Sequence, residues 1–100
     1  MRYLIVVHEL AAEEIEDLRK YDQGRIVAAI EKQLRHEPGV ASRRRKCLTA
    51  LTPSFEHVSP VWELRIGEFR VFYDVDNVGK VVHVRAVRRK EPRQRTEDIV

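Results

Sequence analysis

Cysteine is nearly missing from these 100 residues: Cys47 stands alone, with no CxxC pair and no clustered Cys/His spacing. An internal disulfide is impossible, and neither a disulfide-stapled secreted scaffold nor a structural zinc site is supported. A reducing compartment, the cytoplasm, is therefore the expected location. Long apolar runs are missing too. The stretch Tyr3–Val7 falls far short of the ~18 residues a membrane span requires, and it ends at His8-Glu9 without a small-residue cleavage site. No membrane association is expected. There is no internal repeat and no low-complexity tract. What remains is a chain of 11.8 kDa with 43% apolar and 35% charged residues, which fits one small domain over residues 1–100 with a modest core. Stability should be marginal, and a partner could add much of it.

Charge is plentiful and unevenly placed. The net charge is +3, yet residues 1–37 hold six Lys/Arg against eight Asp/Glu, while residues 38–100 hold thirteen against eight. Fourteen of the nineteen bases are arginine, whose planar fork suits bidentate contacts to phosphate or carboxylate. The run Arg43-Arg44-Arg45-Lys46 and the second run, with Arg85, Arg88, Arg89, Lys90, Arg93 and Arg95, point to a polyanion or an acidic protein as partner. The plainer alternative is a solvated basic surface.

Residues 2–7 are β-branched and apolar on both faces and predict a covered strand. From Glu9 to Lys20, Ala11, Ile15 and Leu18 share one helical face, with acidic residues early and Arg19-Lys20 late, as the helix dipole favours. A turn is expected at Tyr21–Gly24, with Asp22 as N-cap. Beyond it Ile26, Val27, Ile30 and Leu34 form the stripe of a second helix that stops at His36-Glu37-Pro38-Gly39. Residues 39–60 show no sustained period and read as a loop with at most one short helical turn.

Residues 61–90 carry alternating strands broken by Gly67-Glu68 and by Asp76–Gly79, which predicts a three-stranded antiparallel meander. With those turns as loops, Ile66, Leu64 and Trp62 face Phe69, Val71 and Tyr73; Tyr73, Val71 and Phe69 then face Val82, Val84 and Ala86. Every member of this face is apolar, so it should pack on the helices. The opposite face should align Arg65, Arg70 and Arg85 in one row and Glu63, Phe72 and His83 in the next, with facing side chains about 5 Å apart.

Arginines side by side destabilise a sheet, so an anion should offset them. Either Glu63, Asp74 and Glu68 neutralise the row, or it is an anion site that stabilises charge on a phosphate. His83 and Glu63 are candidates to exchange protons with a ribose 2′-hydroxyl and a leaving 5′-oxygen. Phe72 between them is placed to stack a base or to meet a protein partner.

The order strand, helical hairpin, basic loop and meander, and above all the segments Trp62–Val75 and Val82–Lys90, resemble the RelE/ParE superfamily of toxins from bacterial type II toxin–antitoxin systems. The likeness covers nearly the whole chain. It implies an α+β, RelE-like fold and a cognate acidic antitoxin that neutralises the toxin in a hetero-oligomer. In the RelE branch it implies an mRNA endoribonuclease, an mRNA interferase that inhibits translation on the ribosome without metal or other cofactor; ParE-like relatives instead inhibit DNA gyrase. By position, Arg70 matches the arginine that RelE enzymes use at the scissile phosphate, and Arg89 and Lys90 match the basic pair after the last strand. The chain departs from that pattern at Val61 and Glu63, where those enzymes have lysines, and at Thr96, near an expected tyrosine. Arg65 and Arg43–Lys46 are candidates to restore the charge. Three functions stay open: an RNA-cleaving toxin, a gyrase-type binding toxin, or a member that only binds its antitoxin.

Overall fold

The computed structural model describes residues 2–100. In chain order the elements are β1 (Leu4–Val7), α1 (Glu9–Glu16), α2 (Lys20–Leu34), β2 (Arg45–Leu48), β3 (Val61–Ile66), β4 (Phe69–Asp76) and β5 (Val81–Arg89), followed by a 3₁₀ turn at Thr96–Asp98. The five strands form one sheet in the order β1-β5-β4-β3-β2, with β1 parallel to β5 and the other neighbours antiparallel. The expected α+β arrangement of strand, two helices and C-terminal meander is present. The sheet itself is mixed and wider than the meander.

Two boundaries differ from the sequence reading. The first helix stops at Glu16 rather than Lys20: the Leu18 amide bonds to the Ile15 carbonyl at 3.0 Å, and Arg19 is extended before α2 begins. Asp22 is thus not an N-cap but lies inside the first turn of α2. It is only 2% exposed and accepts from Arg19 Nε at 2.8 Å and Arg25 Nη1 at 3.1 Å. Burial opposes its ionisation, but the hydrogen bonds from both guanidinium groups outweigh this and hold the carboxyl below its ordinary value. The second difference is β2, which lies within residues expected to be loop. Four residues, two of them charged, carry no readable period, and β2 exists because β3 offers it a paired edge.

One sheet face packs on the helices as expected. Leu64, Val71, Tyr73, Val82 and Val84 are buried against Ala11, Ile15, Ile26, Ile30 and Leu34, with Trp62 and Leu18 at the margin. The β3–β4 register also matches, Ile66 facing Phe69 and Trp62 facing Tyr73 across the Gly67-Glu68 turn. Gly67 has φ +58, the left-handed region a two-residue hairpin needs at its first loop position, and a Cβ there would lie 2.6 Å from Arg25 Nη2.

The β4–β5 register is corrected in two steps. Asp76 remains in the ladder opposite Val81, because its Oδ1 accepts from Val78 N at 3.0 Å and Gly79 N at 2.9 Å and so folds the turn at residues 77–80. Tyr73 consequently faces Val84 rather than Val82, a shift of two that leaves each side chain on its expected face. A bulge then follows between Phe72 and Tyr73: Phe72 faces Ala86, and Arg85 is the extra residue. From there on the faces of β5 are exchanged. Val87 enters the helix-side core in place of Ala86, and Ala86 turns to the other face.

That other face is covered, not solvated. Leu48, Phe55, Val61, Phe72, Ala86 and Ile99 form a second core beneath residues 49–60 and the 3₁₀ turn. Leu64→Ala, in the helix-side core, is expected to cost about 2–5 kcal/mol of unfolding free energy through lost burial plus a cavity; chemical denaturation measures it.

Candidate anion-binding site

At the hairpin end of the second face, Arg65 (β3) faces Arg70 (β4) and Arg70 faces Arg88 (β5). Arg44, just before β2, is the neighbour of Arg65 on the other side, its carbonyl accepting the Arg65 amide at 2.9 Å. The arginine row exists, but Arg88 stands where Arg85 was expected, because of the bulge. The next row runs Glu63, Phe72, Ala86, so His83 is not beside Glu63; it faces Asp74.

Most of these cations have internal partners. Arg85 is buried and clamped by Asp74, at 2.7 Å through Nε and 3.2 Å through Nη2, with Glu56 at 3.5 Å. Arg88 pairs with Glu14 of α1, donates to the Ile99 carbonyl at 3.0 Å, and lies over the Phe55 ring. Arg70, 7% exposed, donates Nη1 to the carbonyls of Gly67 (2.7 Å) and Phe69 (2.8 Å), with Glu63 at 3.8 Å. Burial pulls its pKa below the usual arginine value; Glu63 opposes this and Arg65 adds to it. Arg45 donates to the Val40 and Gln33 carbonyls, both at 2.9 Å, and ties the loop to the end of α2. Arg89 lies over the Phe69 ring at 4.7 Å and contacts Glu68 at 3.4 Å. Lys90 extends the backbone pairing to Glu68 and is half-exposed.

Arg43, Arg44 and Arg65 are different. All three are exposed, and among the described residues none has a carboxylate within 4 Å. With Gly67 they line an open groove of about 430 Å³. Lys46 is exposed on the adjoining row, opposite Glu63.

Glu63 and Phe72 are withdrawn from solvent, while His83 stays half-buried. Glu63 is 4% exposed and accepts from Thr96 Oγ1 at 2.8 Å. Phe72 is fully buried, 5.7 Å from the Phe55 ring, and offers no face to a base. Among the described residues no group of three or more His, Cys, Asp or Glu is placed to hold a metal.

Residues 5–92 match the model of the family described as the ParE toxin of the type II toxin–antitoxin system parDE. The chain belongs to the ParE toxin family. No curated protein gives a significant sequence match. Among solved structures the chain is similar to the toxin–antitoxin complex RelBE2 from Mycobacterium tuberculosis, with a TM-score of 0.72 and 19% identity over 90% of this chain and 100% of that one. It is likewise similar to the archaeal RelE–RelB complex from Pyrococcus horikoshii OT3, with a TM-score of 0.69 and 20% identity over 92% of this chain and 99% of that one. At such identities the likeness is one of fold. No helix among the described residues is long and apolar enough to cross a membrane.

In this ParE-family toxin the residue that sequence reading missed is His8, whose Nε2 lies 2.9 Å from His83 Nδ1. No local signal could have found it, since the contact spans β1 and β5. Burial pushes the His8 pKa below 6.5; Arg85 and His83 act in the same direction, and Asp74 and Glu56 oppose it. The folded chain therefore favours neutral His8, while the unfolded chain takes up a proton near pH 6.5. Stability from this site is present above that pH and lost as pH falls through it. The urea midpoint should drop between pH 7.5 and 5.5, and His8→Gln should flatten that drop. The arginines should separate by stability as well. Arg85→Ala strands a buried carboxylate and is expected to cost about 3–5 kcal/mol. Arg65→Ala should stay within about 0.5 kcal/mol of the parent.

Proposed function

We propose that the chain is a ParE-like toxin that inhibits its target by binding through the cationic groove rather than by cutting RNA. One observation carries this reading. The groups that phosphoryl transfer would use are committed internally, while Arg43, Arg44 and Arg65 have no carboxylate partner. Cleavage at a ribose needs a base within reach of the 2′-hydroxyl, an acid at the 5′-oxygen and a cation at the phosphate. Here Glu63 is bound to Thr96, His83 to His8, and Arg70 to two carbonyls. The ParE-like branch implies DNA gyrase as target. A cognate antitoxin in the cytoplasm, with an acidic segment laid on the groove, would neutralise the same guanidinium groups and stabilise the toxin.

A RelE-like endoribonuclease is the second reading, favoured by Glu63 lying 3.8 Å from Arg70, the arginine that faces Arg65 across the hairpin. The two readings separate in parallel assays of the purified chain: gyrase supercoiling, and primer extension on mRNA in a translating extract. Gyrase inhibition without new mRNA ends is expected, weakened on the order of 10-fold by Arg65→Ala, as for loss of a charge-assisted hydrogen bond. Discrete mRNA ends that vanish in a folded Arg70→Lys variant would overturn the binding reading in favour of the enzyme.

A further inference from the structure

We propose that the groove formed by Arg43, Arg44, Arg65 and Gly67 takes the phosphodiester backbone of duplex DNA, so that the toxin engages its target in a DNA-dependent way. The inference rests on the reading of that groove as the toxin's contact surface, and it names the ligand.

Three adjacent guanidinium groups without a carboxylate are a local excess of positive charge that the fold leaves uncompensated. Neighbouring strands lie about 4.8 Å apart, so Arg44 and Arg65 carry their charges side by side at a cost in repulsion. Duplex DNA presents one negative charge per about 1.7 Å of axis, a density that several closely spaced cations meet together. Gly67 lines the groove, and the place a side chain there would take is filled by the Arg25 guanidinium, whose Nη2 lies 2.6 Å from an ideal Cβ.

The groove also lacks what single-stranded RNA would require. Recognition of unpaired bases depends on aromatic platforms, and none lies here. Phe72 is buried in the second core, Phe69 lies under Arg25 and Arg89, and Trp62 packs on Tyr73 against the helix-side core. What the groove offers is arginine alone, suited to phosphate contacts that position a duplex without reading its sequence.

The test is fluorescence anisotropy of the purified full chain with a 20-base-pair DNA duplex and with a 20-nucleotide single-stranded RNA, from 50 to 200 mM salt. Three phosphate contacts predict a slope of log K against log salt near about −2.7, a loss of roughly 40-fold across that range. Arg44→Ala or Arg65→Ala should each reduce the slope by about 0.9, and Arg65→Lys should keep it, with thermal melts showing that the variants stay folded. Tighter binding to the RNA, or duplex binding whose slope ignores these substitutions, overturns the proposal. Gyrase inhibition with no duplex binding also overturns it while leaving the binding-toxin reading intact. Duplex binding without gyrase inhibition upholds it and removes gyrase as the target.

Discussion

Arg85 occupies the extra position of the β5 bulge, and its guanidinium is locked to Asp74 through two hydrogen bonds inside the protein. A buried pair of this kind adds little net stability over apolar residues of similar volume, but losing one partner is costly. Its consequence is positional. Because Arg85 is out of the ladder, Val87 instead of Ala86 meets the helices, Ala86 joins Phe72 in the second core, and Arg88 arrives beside Arg70. Asp74 also accepts from the Val58 amide at 3.1 Å, which draws the 49–60 segment over the same face. The composition of the second face therefore depends on this one pair.

Crowded arginines impose the second constraint. The fold relieves them one at a time: Arg88 through Glu14, Arg70 through turn carbonyls and Glu63, and Arg89 through Glu68 and the Phe69 ring. Glu14 does double service, since its other oxygen accepts the Val87 amide at 2.8 Å and so pairs the part of the β5 edge that β1 does not reach. At the β2–β3 end this compensation stops, and Arg43, Arg44 and Arg65 face solvent around their groove. Structural arginines and free ones thus share a row. The free ones are where a polyanionic partner gains most.

The fold was legible where periodicity was strong and connections were short. Ile26, Ile30 and Leu34 announce α2, and the two-residue turn at Gly67 fixes the β3–β4 register. The bulge was not legible, because Val82–Val87 alternates equally well with or without an extra residue. Neither was β2, whose strand character comes from β3. For the site, charge runs and the hairpin register located Arg43, Arg44 and Arg65. The burial of Glu63, Arg70 and Phe72 could not be read, since it is imposed by residues 49–60 and by Ile99, which carry no periodic signal. The family resemblance stood in the meander residues themselves and is borne out over residues 5–92.

Some arginines of this toxin are held by the fold, and others are left free for a partner. The most direct measurement is hydrogen exchange of the individual arginine Nε–H groups by NMR. Arg85, bonded to Asp74, and Arg45, bonded to the Val40 carbonyl, should exchange slowly with solvent, while Arg43, Arg44 and Arg65 exchange fast. Fast exchange at Arg85, or protection at Arg43, Arg44 and Arg65 in the free chain, would contradict the account.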